Sequence, residues 1–499
     1  MHFNKNLNEN MLLVSDLHLG DSSKNTTRTQ YMKLANQVDK EFCCFLDYWS
    51  KKPLHNQPWH LAIVGDFIDF DQLTFKPNLN QGRGLNFSIT SREKEWGLQR
   101  DAIRSSWMLE TIFERHFNLF SSLVRFIAKG NKLTVLLGNH DLALYWPKVK
   151  ETFKKLMLKL YLEQRSQIKG DFHLDEKTFL NKISILDWFL YYPGEFWIEH
   201  GSQFDNLSGV QYVLKPLNPV KQTLLEENVS TLGIKYFSNK IPGLSVHKID
   251  YWLLPDFFKW FVKIGLKATL KVGKGYFDLL FQSFKYWFFF SRHENVFFSK
   301  EQKKLLTKLE KKYNFKPKTL NRLVKLHKRP ASKNLYKLAN AFVADRFFLF
   351  ILVIIIIPGL FFYWKSSLIF TLFFFSLFII FWLLKKAKAT ENYHTIPKLR
   401  KQARKAHKIT KTPIILGHSH FPMLYFKDSK YPYYYNIGSW LPGNLGKHKN
   451  GECDCSFSYI KIDRSKTPVE ISLERWCGVN HKPNGDYLMN FSKPDFVLD

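Results

Sequence analysis

Short apolar runs alternate with amphipathic stretches from residue 11 to about residue 204. Met11 to Ser15, His60 to Val64, Leu133 to Leu137 and Phe196 to Glu199 are apolar almost without interruption. A strand buried on both faces reads this way, whereas a half-exposed strand alternates. Between these runs, Tyr31, Leu34, Val38, Phe42, Phe45 and Trp49 recur at helical spacing, as do Trp107, Ile112, Phe113, Phe117, Phe120, Val124 and Ile127. That spacing lays one apolar stripe along a helix. The alternation predicts an α/β fold built in layers. Pro413 to Leu416 resumes the buried-strand pattern, and Tyr433 to Ile437, Ser456 to Ile462 and Val469 to Leu473 predict further strands.

The middle of the chain breaks this pattern. Residues 205–346 are basic and aromatic without strand alternation. Within them, Tyr276 to Phe290 is nearly all apolar yet carries Asp278 and Lys285. It reads either as a buried helix of an inserted module or as an aromatic helix at a membrane interface. Phe347 to Trp364 and Ser367 to Leu384 are apolar all round. Each run is about 18 residues, roughly 27 Å as helix, enough to cross a thin hydrocarbon core. They predict a membrane hairpin over 347–384, with Pro358-Gly359 as a kink or re-entrant turn. Lys328, Arg329, Lys333, Lys337 and Arg346 precede it, and Lys385, Lys386 and Lys388 follow, against Lys365 alone in the turn. The positive-inside bias puts both flanks in the cytoplasm. Residues 385–411 form a basic linker, with a helix expected over Pro397 to His407 that suits anionic headgroups. A catalytic domain is thus expected in two parts, 1–204 and 412–499, around the insertion and the hairpin.

Composition adds a partner class. The 499 residues hold Lys+Arg 74 against Asp+Glu 43, a net +31. Such a charge calls for an anionic partner: a membrane face, a phosphorylated substrate or nucleic acid. The apolar hairpin favours the first two. Cys43, Cys44, Cys453, Cys455 and Cys477 match neither a disulfide framework nor a four-ligand zinc pattern, and reduced cytosolic thiols are expected. Met1 to Asn10 lacks an apolar signal region. The expected location is a membrane anchor with a cytoplasmic catalytic domain.

Five segments then carry chemistry: Asp16-Leu17-His18, Gly65-Asp66-Phe67-Ile68-Asp69, Gly138-Asn139-His140-Asp141, Glu199-His200-Gly201 and Gly417-His418-Ser419-His420. Each closes an apolar run. In layered α/β folds ligands collect where strands end. The set mixes oxygen and imidazole nitrogen without thiolate, which suits Mn, Fe, Zn or Ni. Glycines beside the ligands permit tight turns and close approach.

In this order, the five segments resemble the motifs of the calcineurin-like metallophosphoesterase superfamily. Tyr435-Asn436-Ile437-Gly438-Ser439-Trp440 resembles the Asn-x-Gly-Ser strand that follows the last motif. The resemblance covers roughly residues 11–204 and 412–475. It implies a four-layer sandwich of two β-sheets flanked by helices, with two divalent metals at its edge. It further implies that Asp16, His18, Asp66 and His420 hold one metal and Asp66, Asn139, His200 and His418 the other. A bridging Asp66 fits metals about 3.5–4 Å apart, and a bridging hydroxide would attack phosphorus. His140 would assist the leaving group and Asp69 would orient it, although a turn-capping Asp69 remains open. Asp141 is expected to cap the following turn, and Asp205 to touch a ligand or the substrate. Members that cleave UDP-diacylglucosamine carry Arg where this chain has His140, so the resemblance implies the class and not that branch. The expected activity is hydrolysis of a lipid-linked phosphate or pyrophosphate. A nuclease or soluble-substrate phosphatase, and a non-catalytic membrane scaffold, are the alternatives.

Overall fold

A computed structural model describes residues 9–20, 26–71, 86–165, 174–241, 260, 262–342, 375, 395–426, 432–441, 457–477 and 482–486. The architecture is α/β with two mixed sheets flanked by helices. In chain order the strands are β1 (Asn10–Val14), β2 (Trp59–Val64), β3 (Lys132–Leu136), β4 (Ile183–Leu186), β5 (Phe189–Tyr192) and β6 (Phe196–Glu199). After the helical insertion come β7 (Ile414–Leu416), β8 (Met423–Phe426), β9 (Pro432–Asn436), β10 (Phe457–Asp463), β11 (Glu470–Cys477) and β12 (Lys482–Asp486). One sheet has the order β12-β11-β10-β1-β2-β3-β4 and the other β5-β6-β7-β9-β8. Both are built from the two ends of the chain. Met11 on β1 lies opposite Ile462 on antiparallel β10, and Trp197 on β6 lies beside Ile414 on parallel β7.

The apolar runs are buried on both faces because successive side chains point opposite ways. Met11, Leu13, Ala62 and Val64 face Ile198, Ile415 and Tyr435 of the second sheet. Leu12, Val14, Leu61 and Ile63 face the outer helices, packing with Phe42, Phe45, Phe120 and Phe153. Burying one such side chain contributes about 1.5–3 kcal/mol, so this double-sided packing is the main fold-stabilising term. Thr395–Thr410 covers the far side of the second sheet through Leu399, Ala403 and Ala406. It shares that layer with Leu306, Leu320 and Leu323, which come from the insertion. Part of the insertion is therefore built into the outer wall of the second sheet.

Several expectations change in detail. The periodicity between Trp107 and Ile127 belongs to two helices, Ala102–Arg115 and Phe117–Ala128. The break falls at His116, whose Nδ1 lies 2.5 Å from Asp39 Oδ2 and Nε2 2.9 Å from the Gly20 carbonyl. β4, β5, β8 and β12 had no clear signal: three of them are four residues long and their sheet neighbours supply their order. The expectation of reduced thiols is corrected at Cys477, which is disulfide-bonded, while Cys43 and Cys44 are free. The antiparallel return of β11, with Phe457 opposite Trp476, carries Cys477 back to the level where β10 begins. Sequence spacing hides that proximity. The hairpin expected over 347–384 lies, Phe375 apart, outside the described residues. Among the described residues no helix is long and apolar enough to cross a membrane.

One buried histidine reports on sheet stacking. His60 of β2 has Nε2 2.7 Å from Thr134 Oγ1 on β3 and Nδ1 3.3 Å from the Tyr192 hydroxyl on β5. Burial, aided by the charges of Lys132 and Arg464, pushes its imidazole down to about 3 from the ordinary 6.5. The fold holds it neutral, so below pH 6.5 the unfolded chain takes up a proton that the folded chain refuses. Stability from this site is present above pH 6.5 and is lost as pH falls toward 3. We expect His60→Gln to be less stable at pH 7 and to show a shallower acid limb in urea unfolding followed from pH 7 to pH 4. An unchanged acid limb would refute the assignment.

Candidate metal centre

β1, β2 and β3 run parallel, as do β6 and β7, so their C-terminal ends open on one edge of the sandwich. The loops that leave them are tied together by backbone. Asp16 N donates to the Gly65 carbonyl at 3.2 Å, His18 N to the Asp66 carbonyl at 2.9 Å and Gly417 N to the His200 carbonyl at 3.0 Å. The carboxylates take part as well. Asp66 Oδ1 accepts from His140 N at 2.9 Å, and Asp16 Oδ2 accepts from His418 N at 3.1 Å. Segments as distant in sequence as residues 16 and 418 are thereby locked in register.

Three trios of donors result: His18, Asp69 and His140 make one that overlaps another at His18, and the remaining two have no residue in common. Of these two, Asp16, His18 and His420 form one and Asp66, His200 and His418 the other, with one donor atom from each residue within 4.8 Å of the others in its trio. Asp66 Oδ2 lies 3.1 Å from His200 Nε2 and 3.8 Å from His18 Nε2, so it stands between the trios. Asn139 Oδ1 lies 3.3 Å from His200 Nε2. The seven expected ligands thus lie side by side at one edge of the sandwich. All are buried except His418 and His420, which are half-buried and mark the open side.

The donor set fits divalent cations on three counts. His200 Nδ1 is 2.9 Å from the Val64 carbonyl, which fixes that nitrogen as the donor and leaves Nε2 facing Asp66. A second nitrogen tied to a carbonyl is the usual arrangement of a metal-ligating imidazole. His418 Nε2 is buried with no hydrogen-bond partner, Asp205 Oδ2 standing 3.7 Å away. An orphaned buried nitrogen is costly unless something binds it. Carboxylate and amide oxygens with imidazoles, and no thiolate, suit Mn, Fe, Zn or Ni.

Electrostatics point the same way. Burial alone would raise the Asp16 carboxyl, but hydrogen bonding with His18 and His420 outweighs it and holds it well below the carboxylate range. Asp66 is likewise lowered against burial, chiefly by the charges of His200 and His140. Burial would lower His18 and His200, yet contact with Asp16 and Asp69 in one case and Asp66 in the other raises both to about 9. The protein concentrates anionic oxygens at one buried point and balances them with protons that a cation can replace.

Backbone strain gathers here too. Among the described residues ten non-glycine residues have positive φ, and five of them are Asp16, His18, Asp66, His418 and His420. Each costs of order 1–3 kcal/mol, a cost that half a dozen buried core side chains offset. Concentrated strain of this kind is a mark of functional loops. Two glycines make the packing possible. A Cβ on Gly138 would lie 2.2 Å from Asp66 Oδ1, and one on Gly417 would lie 2.0 Å from Ser15 Oγ and 2.8 Å from Asp16 Oδ2.

Asp69 and His140 adjoin the two trios that share no residue. Asp69 Oδ2 is 3.1 Å from His18 Nδ1, and Asp69 Oδ1 is 3.4 Å from His140 Nδ1. Asp69 also accepts from Asp71 N at 3.0 Å, so it shapes its turn while touching both rings. Burial, which would lower His140, is outweighed by Asp69 and Asp66, and the ring is raised well above 6.5. Asp141 does not cap the turn that follows: its oxygens accept from Phe67 N at 2.9 Å and Gly138 N at 2.6 Å, tying β2 and β3 loops together. Glu199, beside His200, turns away and accepts from Trp188 Nε1 at 2.6 Å and Trp197 Nε1 at 3.1 Å. Asp205 is placed 3.5 Å from Lys398 Nζ as well as near His418.

Two contributors escaped sequence reasoning: Ser15 Oγ stands 2.5 Å from Asp16 Oδ2, and Asp71 Oδ2 lies 3.6 Å from His140 Nδ1. Asp71 follows Asp69 by two positions, and that spacing was the available signal. Asn436, singled out in the strand after the last motif, donates from Nδ2 to the Gly417 carbonyl at 2.6 Å. Comparison with models of known families, with curated proteins and with solved structures finds no match.

We expect added Mn to raise the melting temperature of the parent chain, and Gly417→Ala both to lower that temperature and to abolish the rise, since Asp16 must move. Differential scanning fluorimetry with and without Mn checks this; parent-like behaviour would show that the loops have slack there.

Proposed function

We propose that this chain is a two-metal phosphoester hydrolase of the calcineurin-like metallophosphoesterase class. One observation carries the reading: two oxygen-and-imidazole trios lie side by side at the parallel strand ends, with Asp66 between them and His140 alongside. Asp16, His18, Asp66 and His420 would hold one divalent ion, and Asp66, Asn139, His200 and His418 the other. Such ions supply Lewis-acid neutralisation of phosphoryl charge and acidify water. The chain's own groups do the rest. Val64 O and Asp69 fix the tautomers of His200 and His18 by occupying Nδ1. Asp69 and Asp71 flank His140 Nδ1, so the ring's Nε2 is the atom that hands a proton to the departing oxygen. The half-buried His418 and His420 leave the phosphoryl group its way in.

The substrate class we propose is a lipid-linked phosphate or pyrophosphate at the cytoplasmic membrane face. The apolar sequence over 347–384 and the net charge of +31 support it. The same charge favours a polyanion, so nucleic acid is the competing substrate. The discriminating experiment is a hydrolysis assay of metal-reconstituted protein on a monoester, a diester, a nucleotide-linked lipid and an oligonucleotide. Turnover of the lipid substrate is expected; cleavage of the oligonucleotide alone would replace this reading with a nuclease. Asp66→Asn should lose hydrolysis by orders of magnitude while its circular dichroism stays unchanged. Near-normal turnover would remove the shared ligand from the scheme.

A further inference from the structure

A helix over Leu266–Tyr286 widens into a π turn at Trp287–Ser291. Its Leu279 and Tyr286 pack inward with Trp96, Leu232 and Tyr236. Its opposite side is apolar as well. Phe277, Phe281, Phe284 and Phe288 recur at i, i+4, i+7 and i+11 and are 51, 58, 45 and 38% exposed. Leu270, exposed as well, continues the row toward the helix start. Scattered exposed apolar side chains are ordinary on a surface, but a continuous row is a contact face.

Charge is arranged around that row. At 3.6 residues per turn, Lys271, Lys274 and Lys285 fall along one flank of it, and Arg292 follows the π turn. Lys285 Nζ sits 5.3 Å from the Phe281 ring centroid, and the Arg292 guanidinium 4.0 Å from that of Phe288. Asp278 is the sole acid of the helix.

We propose that this phenylalanine row docks on an anionic lipid bilayer, its rings at the headgroup–acyl boundary and its lysines and Arg292 on lipid phosphates. A strongly basic flank beside exposed aromatics is the pattern of interfacial helices, and long cationic side chains can lie along apolar surface while their heads stay in water. Charge complementarity selects a bilayer over a neutral protein groove, since each phosphate near the surface attracts these cations. The course of the chain selects it too. The Tyr276 hydroxyl donates to the Phe342 carbonyl at 2.7 Å, directly after the helix Leu335–Ala341. The apolar sequence over 347–384 begins five residues later, at Phe347. The last described residue before it therefore lies beside the start of the row. The proposal rests on the membrane-face part of the function proposed above and is independent of the hydrolysis.

The test places a photoreactive p-benzoylphenylalanine at Phe281 in the full-length protein, and in a second protein at Leu162, an exposed side chain on the outer helix Pro147–Gln164. Each protein is mixed with vesicles of phosphatidylcholine and phosphatidylglycerol, floated and illuminated, and the adducts are identified by mass spectrometry. Lipid adducts are expected at Phe281, several-fold above those at Leu162, and should diminish when phosphatidylglycerol is omitted. If the protein floats but Phe281 couples to residues 347–384 or to a second copy, the row is a protein contact, and the membrane-face reading survives without it. Failure to float with either lipid mixture would sink that reading and the docking surface together, leaving the hydrolysis assay as a separate question.

Discussion

Three carboxylates buried side by side hold the most consequential energy in this molecule. Asp16, Asp66 and Asp69 are each almost fully buried, where an unpaired charge would cost several kcal/mol. They are kept ionised by imidazoles from the loops after β1, β3, β6 and β7 and by backbone amides that the carboxylates themselves order. The arrangement exists only if β1, β2, β3, β6 and β7 all end at one edge. The inter-sheet core of Met11, Leu13, Ala62, Val64, Ile198 and Ile415 enforces that alignment. Core packing and charge compensation are thus two halves of one constraint.

The constraint explains where the chain tolerates poor local geometry. Positive φ at Asp16, His18, Asp66, His418 and His420 disagrees with the intrinsic preference of those residues, and glycines at 138 and 417 leave room that any side chain would fill. A site that must present oxygens and imidazoles toward a common point cannot also relax every turn. The surrounding helices absorb the cost through apolar burial. The insertion takes part in this: Thr231 Oγ1 donates to Asp71 Oδ2 at 2.8 Å, beside Arg100 of the first part of the chain, which donates to Asp71 Oδ1 at 3.0 Å. Asp71 in turn faces His140, so a helix far along the chain braces the loop next to the proposed proton donor.

The surface divides by charge and apolarity in a manner that matches this interior. Leu399, Ala403 and Ala406 of Thr395–Thr410 seal the second sheet, while Lys401, Arg404 and Lys405 stay exposed on its outer side. The phenylalanine row on Leu266–Tyr286 lies on a different helix, which is anchored by Leu279 and Tyr286. Both helices place cations at the rim of a protein whose proposed substrate is an anion.

Much was legible in the residues because buried strands and metal-type ligands leave local marks. Nearly unbroken apolar runs located β1, β2, β3, β6, β7 and β9, and mixed apolar and polar runs β10 and β11, to within a few residues; the segments that close the runs of β1, β2, β3, β6 and β7 named Asp16, Asp66, Asn139, His200 and His418. Short strands such as β4 and β5 were not legible, because four residues beside partly buried neighbours carry little periodic signal. The break at His116 was hidden, since the apolar stripe continues through it and the contacts with Asp39 and Gly20 that hold it are long-range. Sequence also assigned Asp141 to a following turn; the fold spends it instead on amides of Phe67 and Gly138, one of them from another strand's loop. By itself the sequence determined which side chains could bind a cation and which segments must be buried, because hydrophobicity and donor chemistry belong to single residues. Only the tertiary structure decided that Asp66 stands between two trios, that Glu199 turns to the tryptophans and that Cys477 is bonded. The first depends on bringing together segments as far apart as residues 16 and 420, and the other two on how neighbouring strands pair and which way a side chain turns from its sheet.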